Sequence, residues 1–128
     1  MNQNVDDENA MAPCSNATLE GRFLFTEAGF EPNEGKLVPF AITGYQDNAN
    51  GTADGVATYI VDGEINPPEP YSGTYSVKAD CTGTITTDGR QSDMFIAPSG
   101  SMFTWVYTDP EFVASGPELR VTAKRVGD

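Results

Sequence analysis

Acid–base chemistry is the first chemistry that the residue types offer, because several charged side chains lie in or beside segments of alternating polarity. Asp93 directly precedes Met94-Phe95-Ile96, and an inward position there would raise its carboxyl pKa by burial and permit acid or base catalysis. The chain has no His, and no set of nucleophile, base and orienting group is visible. Surface charges and turn caps are therefore the favoured interpretation, and the catalytic residues stay unknown. The charged residues concerned are Glu20, Arg22, Glu27, Asp62, Glu64 and Asp93.

An oxygen-rich loop offers the ligand types that Ca²⁺ prefers in proteins. Ala49 and Gly51 stand where the EF-hand pattern requires ligands, so the spacing departs from that motif. An ordinary turn accounts for the same residues. The sequence therefore predicts no metal site and no cofactor. The oxygen-bearing residues of this loop are Asp47, Asn48, Asn50 and Asp54.

Aromatic residues are the strongest candidates for a binding site. They recur in the alternating segments, and a barrel lined with such rings can hold a small apolar or flat molecule. The other interpretation is that the rings only fill the interior, since an eight-stranded barrel is just wide enough for either arrangement. The candidate ligand-binding residues are Phe23, Phe25, Phe40, Tyr71, Tyr75 and Trp105.

Period-two alternation of apolar and polar residues predicts the strands that would position these rings. Turn residues such as Asn50-Gly51 and Asp88-Gly89 separate the strands, which is typical of hairpins. The pattern predicts an all-β, eight-stranded antiparallel up-and-down barrel, with a sandwich as the alternative if residues 62–70 and 109–118 are crossovers. The predicted strands run over about 19–26, 37–45, 55–61, 71–78, 81–87, 91–97, 102–108 and 119–124.

One face of each predicted strand is expected to line the core. The strand near residues 102–107 differs, because apolar residues occupy both of its faces. Either the face with Trp105 or the face with Met102 looks outward, and an outward apolar face would contact another chain or be covered by N-terminal residues. The residues expected to face inward in the other strands are Phe23, Phe25, Val38, Phe40, Ile42, Tyr75 and Val77.

The chain is expected to divide into an arm and one domain. Residues 1–13 are polar and acidic without a period, so they are predicted to form an acidic N-terminal arm. Residues 14–128 are predicted to form a single β-barrel domain, large enough to bury a core. The arm has few apolar residues to bury, so ordering it requires contacts with a surface. We therefore expect a homo-oligomer in which the arm lies in or beside the contact.

The cysteines and the net charge restrict the compartment and the partners. Cys14 and Cys81 lie far apart, so a disulfide in an oxidising compartment is the favoured interpretation, and a cytosolic protein with two free thiols is the alternative. We expect a secreted or periplasmic protein whose signal peptide is absent from this sequence. The formal charge of −12 repels phosphate backbones, and no apolar stretch approaches the length of a membrane span. We therefore expect no nucleic-acid partner and no membrane insertion.

Three groups of residues carry a resemblance to known proteins. Cys14-Ser15-Asn16-Ala17-Thr18-Leu19-Glu20-Gly21 resembles the opening of a family of small secreted bacterial proteins of uncharacterised function. Tyr71-Ser72-Gly73-Thr74-Tyr75 with Asp80-Cys81-Thr82-Gly83-Thr84 is similar to the middle of that family, and Thr108-Asp109-Pro110 with Val113-Ala114-Ser115-Gly116 resembles its end. The resemblance covers most of residues 14–125. It implies export and a calycin-like barrel, and it implies no activity.

A weaker likeness is to avidin-like and lipocalin-like barrels. Cys14 with Gly21-Arg22-Phe23 is similar to their first strand, and a cysteine pairing from that point to mid-chain also occurs in avidins. Phe23 stands where lipocalins carry Trp, and the polar residues that contact biotin in avidins have no matching positions in this chain. The likeness therefore implies the barrel and does not imply biotin binding.

The sequence favours a secreted, non-enzymatic β-barrel that binds a small apolar ligand in the barrel or acts through its surface. One alternative is a cofactor-free cyclase or isomerase in which an aromatic-lined barrel shapes a reactive substrate, as in allene-oxide-cyclase-like and dirigent-like proteins. Another alternative is a self-assembling extracellular structural subunit. A hollow interior with ordered polar groups would favour the first two classes, and a solid core with a large contact between chains would favour the third.

Overall fold

A computed structural model describes residues 13–122, in which eight antiparallel strands close into one barrel. Each strand pairs with its neighbour in chain order and the last pairs with the first, so the predicted up-and-down barrel is confirmed. This order is consistent with a calycin-like barrel. No helix within the described range is long and apolar enough to cross a membrane. The strands are β1 (Gly21–Asn33), β2 (Lys36–Ala49), β3 (Thr52–Val61), β4 (Glu64–Val77), β5 (Thr82–Thr87), β6 (Arg90–Ile96), β7 (Met102–Tyr107) and β8 (Val113–Arg120).

Two-residue turns set the register of four hairpins. In each turn a Glu, Asn or Asp has a φ of 50–52° and the glycine after it has a φ of 80–85°. Positive φ at both central positions is the mark of a type I′ turn, and glycine adopts it without strain. The predicted hairpin turns at Asn50-Gly51 and Asp88-Gly89 are thereby confirmed. The four turns are Glu34-Gly35, Asn50-Gly51, Asp62-Gly63 and Asp88-Gly89.

The proline-rich segment lies inside β4, so residues 62–70 are not a crossover. Pro67 and Pro68 lie at a β-bulge in the pairing of β4 with β3. On the other side, β5 pairs with β4 only from Gly73 onward. The prolines therefore remove no donor from a continuous ladder, and such unpaired stretches are where strands tolerate proline. The strand predicted over 71–78 is the second half of this longer one.

The predicted position of the last strand is wrong. Residues 119–124 were expected to form it, whereas β8 begins at Val113 and ends at Arg120. Its ladder with β1 has no pairs at Gly116 and Pro117 and resumes on either side. Because pairing with β1 lapses there, a proline costs no hydrogen bond to that strand, and the dipeptide does not end the strand.

A 3₁₀ helix (Asn16–Leu19) covers one end of the barrel, which we call the closed end. Ser15 begins this helix with a reciprocal capping box that includes Thr18. Asn16 Oδ1 accepts a hydrogen bond from the backbone N–H of Val77 at 2.8 Å. The helix is therefore tied to the end of β4.

Two further links fasten the closed end. Cys14 and Cys81 form the predicted disulfide, with their Cα atoms 5.1 Å apart. This bond joins the residues before β1 to those before β5, which lies across the barrel. The Arg120 guanidinium donates to three backbone carbonyl oxygens at 2.6–2.8 Å and lies 4.8 Å from the centroid of the Phe23 ring. The last strand is thereby held against the helix and the first strand.

The hydrophobic core fills the closed half of the barrel. Of the residues predicted to face inward, five are buried, whereas Ile42 and Val77 are half-buried. At this end of the barrel, aromatic side chains therefore fill the interior, which was one of the two arrangements expected from the sequence. The buried core residues are Leu19, Phe23, Ala53, Tyr75, Ile85, Met94, Ile96, Phe103 and Trp105.

The predicted N-terminal arm lies outside the described residues, apart from Pro13. Residues 123–128, which include the end of the predicted last strand, also lie outside them. The division of the chain into arm and domain, and self-association through the arm, therefore stay predictions.

Candidate functional site

The open end of the barrel, opposite the 3₁₀ helix, leads into a cavity that has two adjoining chambers. The inner chamber has a volume of about 100 Å³, and its walls include Phe25, Trp105 and Glu118. The outer chamber has a volume of about 240 Å³, and its walls include Phe40 and Phe112. The barrel is therefore filled at its closed end and hollow at its open end. The residues that line both chambers are Glu27, Ile42, Tyr71, Asp88, Arg90 and Tyr107.

Strand register brings two carboxyl groups together in the inner chamber. Phe25 on β1 pairs with Glu118 on β8, and Glu27 is the next inward residue of β1. The two glutamates are therefore diagonal neighbours on adjacent strands, with Cα atoms roughly 7 Å apart. Trp105 on β7 lies opposite Gly116 of β8. A Cβ at Gly116 would collide with the backbone carbonyl oxygen of Thr26, so only glycine permits this close approach of β8 to β1 beside Glu27.

Two buried polar atoms in the wall of the inner chamber have no hydrogen-bond partner among residues 13–122. They are Nε1 of Trp105 and Oε1 of Glu118. The exposed fractions of these residues are only 7% and 4%. A buried donor or acceptor without a partner costs about 1–3 kcal/mol, and native proteins pair most such groups. The inner chamber is therefore lined by two residues that each hold an unpaired polar atom beneath its surface.

Burial controls the protonation of both glutamates. Desolvation raises the pKa of Glu27 to about 7, while a 3.4 Å hydrogen bond from the Tyr107 hydroxyl and the charge of Arg90 oppose the shift. Desolvation, assisted by the charge of Glu27, raises the pKa of Glu118 to about 8. Near neutral pH the pair therefore retains protons that exposed carboxyls have lost.

Tyr71 anchors the opposite wall of the inner chamber through a chain of hydrogen bonds. Its hydroxyl donates to Gln46 Oε1 at 2.8 Å, and Gln46 Nε2 donates to Asn48 Oδ1 at 3.0 Å. The Tyr71 ring lies against Gly55, where a Cβ would collide with it. Burial raises the pKa of Tyr71 and of Tyr107, so both phenols remain neutral near pH 7.

The lining of the cavity is acidic apart from one cation among residues 13–122. That cation is Arg90, whose guanidinium lies 4.3 Å from the centroid of the Phe112 ring. This is the distance of a cation–π contact, which holds the arginine at the rim. The carboxyl groups that line the two chambers are those of Glu27, Glu31, Glu69, Asp88 and Glu118.

The six predicted ligand-binding residues fall into two groups. Four of them line the chambers and two belong to the core of the closed half. Contact of any of them with a ligand stays a prediction. The inner chamber is lined by Phe25, Tyr71 and Trp105, the outer chamber by Phe40 and Tyr71, and the closed core contains Phe23 and Tyr75.

Asp93 does not take the inward position that would permit catalysis, and it is a surface charge. Asp93 is exposed on the outer face of β6, whereas Ser92 and Met94 are buried on the inner face. The sequence misleads here because Met94-Phe95-Ile96 is apolar on both faces, so the triplet does not fix which parity points inward. Phe95 in fact faces outward and exposes 64% of its surface. Asp93 therefore takes no part in the cavity.

The two inward glutamates are the residues that sequence reasoning missed. The position of Glu27 could have been predicted, because it follows Phe23 and Phe25 in the series of alternate residues of β1 that face inward. The position of Glu118 could not, because the predicted last strand began only after it. Both residues also oppose the general rule that carboxyl groups stay at the surface, which is typical of functional sites.

The acidic loop does not form a metal site in the described part of the chain. Asp47 pairs with Arg22 at 2.8 Å, Asn48 is buried as the acceptor for Gln46, and Asn50 belongs to a two-residue turn. No group of three or more metal-binding side chains occurs within residues 13–122. The ordinary turn is therefore the better interpretation of this loop.

The outer face of β7 carries Met102 and Val106 on either side of Thr104. Phe103 and Trp105 face inward, so the opposite face of the strand looks outward, and Val106 exposes 46% of its surface there. This settles which face is outward. Contact of that face with another chain or with the arm stays a prediction.

Comparison of the sequence with models of known protein families finds no match, and comparison with curated proteins finds none either. The function is therefore argued from the cavity itself. Its distinguishing features are a hollow, aromatic-lined open half, a pair of buried carboxyls and two unpaired polar atoms.

Proposed function

We propose that this barrel is an exported, non-enzymatic binding protein that takes a small molecule into its open half. The observation that carries the proposal is the pair of unpartnered atoms, Trp105 Nε1 and Glu118 Oε1, in the buried wall of the inner chamber. A ligand that supplies an acceptor and a donor would recover the free energy that these groups lose by burial. The Cys14–Cys81 disulfide supports export, because such bonds persist in oxidising compartments.

The size and lining of the cavity support a ligand with a small apolar body. An apolar cavity of about 150 Å³ accommodates benzene. The outer chamber, whose walls combine the rings of Phe40 and Phe112 with acidic side chains, has room for a ring of that size, at about 240 Å³. Aromatic and aliphatic walls with a few polar groups are the usual composition of ligand sites. The rings of Phe25, Phe40 and Tyr71 would contact the apolar body, and the inner chamber would receive its polar group.

Trp105 provides a direct test, because it is the only tryptophan of the chain and it lines the inner chamber. We expect small ring compounds with a polar group to change its fluorescence in a saturable manner. The variant Ile42→Phe places a larger side chain where both chambers meet and should weaken binding about tenfold. Val106→Phe places the same ring on the outside of the barrel and serves as the matched control. Equal affinities for the two variants would show that the molecules bind elsewhere.

The carboxyl pair favours one second candidate, a cofactor-free cyclase or isomerase. Around pH 7–8 the pair can hold one proton, so one carboxyl would act as a general acid and the other as a general base. A chromogenic benzisoxazole, which eliminates when a buried carboxylate removes its ring proton, tests for such a base. Turnover that is lost in both Glu27→Gln and Glu118→Gln would support catalysis. If the parent protein turns the substrate over no faster than a variant in which both glutamates are replaced by Gln, binding remains the proposed function.

A further inference from the structure

The charge balance of the cavity restricts the chemistry of its ligand. Within the part of the chain that the structure describes, five carboxyl groups line the two chambers and Arg90 is the one cation beside them. Arg90 does not pair with any of them, because the only salt bridge within residues 13–122 joins Arg22 to Asp47 on the outside of the barrel. Its guanidinium instead contacts the Phe112 ring at 4.3 Å. Within residues 13–122, neither buried glutamate therefore forms a salt bridge, and Arg90 acts on Glu27 only through its charge.

The hydrogen bonds inside the inner chamber also leave one carboxyl oxygen without a partner. The Tyr107 hydroxyl donates to Glu27 Oε2, while Glu118 Oε1 receives no donor from the described residues. Glu118 exposes only 4% of its surface, so water outside the barrel does not solvate its carboxyl group. A buried carboxylate is stable only when a cation or several donors reach it. An ammonium group offers both, since it carries a positive charge and up to three donors.

Aromatic rings surround the position between the carboxyls. Phe25 and Tyr71 form one edge-to-face pair with centroids 6.0 Å apart, and Trp105 and Tyr107 form another at 5.1 Å. All four residues line the inner chamber. Ring faces attract cations, and the attraction strengthens when water is excluded. Carboxyl groups and aromatic rings together form the environment that favours an organic cation over a neutral molecule or an anion.

We propose that the inner chamber binds the ammonium group of a small organic amine between Glu27 and Glu118, and that the apolar body of the same molecule lies against the rings of Phe40 and Phe112 in the outer chamber. This inference rests on the proposed function, because it requires that a small molecule occupies the cavity. The depth of the site favours a primary amine at the end of a short chain, since the inner chamber is the smaller one, at about 100 Å³.

Binding of an amine cation to this site is linked to the release of protons. Burial raises the pKa of both glutamates, and the cation favours their ionised forms, so protons leave the pair when the amine binds. Affinity for the amine should therefore rise with pH between 6 and 8, by up to about tenfold per pH unit for each proton released. The other titratable or charged groups that line the chambers are Glu31, Tyr59, Glu69, Tyr71, Asp88, Arg90 and Tyr107.

Three phenyl compounds of nearly equal size separate charge from shape: 2-phenylethylamine, 2-phenylethanol and 3-phenylpropanoate. None of them absorbs at the red edge of tryptophan excitation, so Trp105 reports the occupancy of the chamber. At pH 8 we expect the amine to bind about ten to a hundred times more tightly than the alcohol, as for hydrogen bonds to charged groups. The propanoate should bind most weakly. Between pH 6 and 8 the affinity for the alcohol should stay constant.

Three variants locate the effect. Glu118→Gln and Glu27→Gln should each reduce the affinity for the amine at least about tenfold and leave that for the alcohol within about twofold. Asp93→Asn removes the same charge from the outer face of β6 and should bind all three compounds as the parent protein does. Thermal unfolding of each variant confirms that it is folded. Calorimetry in buffers of different ionisation enthalpy should detect proton release with the amine and none with the alcohol.

The possible results separate this inference from the proposed function. Equal binding of amine and alcohol, or tighter binding of the propanoate, would overturn the inference and leave the barrel a small-molecule binder. An amine preference that Asp93→Asn abolishes as fully as Glu118→Gln would also overturn it, because net charge would then be the cause. If none of the three compounds binds, the inference fails, and the wider set of ring compounds then decides whether the cavity binds any molecule.

Discussion

The buried carboxyl of Glu118 should make the stability of the barrel fall as pH rises. Its pKa is 4.5 in an exposed setting and about 8 in the folded protein, because burial disfavours the charged form. A group with a raised folded-state pKa binds its proton more tightly in the folded state than in the unfolded state. Its contribution is therefore fully present below pH 4.5 and is lost as the pH rises through about 8.

The magnitude follows from the size of the shift. Each pKa unit corresponds to about 1.36 kcal/mol. Between pH 5 and pH 8 the protein should lose roughly 3 kcal/mol of its free energy of unfolding through Glu118 alone. Glu27, whose pKa is raised to about 7, adds a loss of the same sign. Glu118→Gln keeps the shape of the protonated side chain and cannot ionise, so it should be about 3 kcal/mol more stable than the parent protein at pH 8.

Urea unfolding at pH 5, 6, 7 and 8 measures this difference directly. At pH 5 the two proteins should agree within about 1 kcal/mol, and at pH 8 the midpoint of thermal unfolding of the variant should lie about 10 °C higher. Asp93→Asn controls for the change in net charge, because it removes one carboxyl group from the exposed outer face of β6. A parallel pH dependence of parent protein and Glu118→Gln would refute the reasoning, since Glu118 would then not be buried with its proton.

Four further predictions concern the frame of the barrel and its assembly. Reduction of the Cys14–Cys81 disulfide should lower the free energy of unfolding by about 4 kcal/mol, measured in urea with and without reductant, because the bond closes a loop of 67 residues. Phe23→Ala should cost about 3–5 kcal/mol in the same assay, since the ring is fully buried in the closed core, and a loss below about 1 kcal/mol would contradict that position. Arg120→Ala should cost about 2–4 kcal/mol, and Arg120→Lys should restore little of it, because an ammonium cannot repeat three hydrogen bonds in one plane. Sedimentation should show that the full chain self-associates and that a chain starting at Pro13 self-associates more weakly. If both chains are monomers at tens of micromolar, the role predicted for the arm is contradicted.

Alternation and turn chemistry were sufficient to predict most of the barrel. Phe23 and Phe25 on β1 alternate with polar residues, and Asp88-Gly89 marks a tight hairpin, so these local signals and the fold agree. The signal failed at Gly116-Pro117 because this dipeptide usually ends a strand. Its tolerance depends on a lapse in the pairing with β1, which is a tertiary feature that local sequence does not encode.

The candidate site was harder to predict for a related reason. Hydrophobic patterning assigns charged residues to the surface, so a buried carboxyl is recognised only when its strand and register are already known. Glu27 satisfied that condition through its parity with Phe25, whereas Glu118 did not, because its strand was misplaced. The predicted aromatic residues all lie inside the barrel, and their contact with a ligand stays a prediction. The division between cavity wall and closed core depends on which end the 3₁₀ helix covers, and sequence periodicity carries no information on that.

The prolines of β4 have a consequence for solubility. Closure of a barrel removes free strand edges, yet the first half of β4 extends beyond the start of its pairing with β5 and leaves one edge that no other strand within residues 13–122 pairs with. Such an edge offers N–H and C=O groups to which a strand of another molecule can add, and this is how ordered aggregates begin. Pro67, Pro68 and Pro70 lack the N–H that an incoming strand would need, and Glu64 and Glu69 add repulsion between like chains. The overhang can therefore form a wall of the outer chamber without seeding intermolecular sheets.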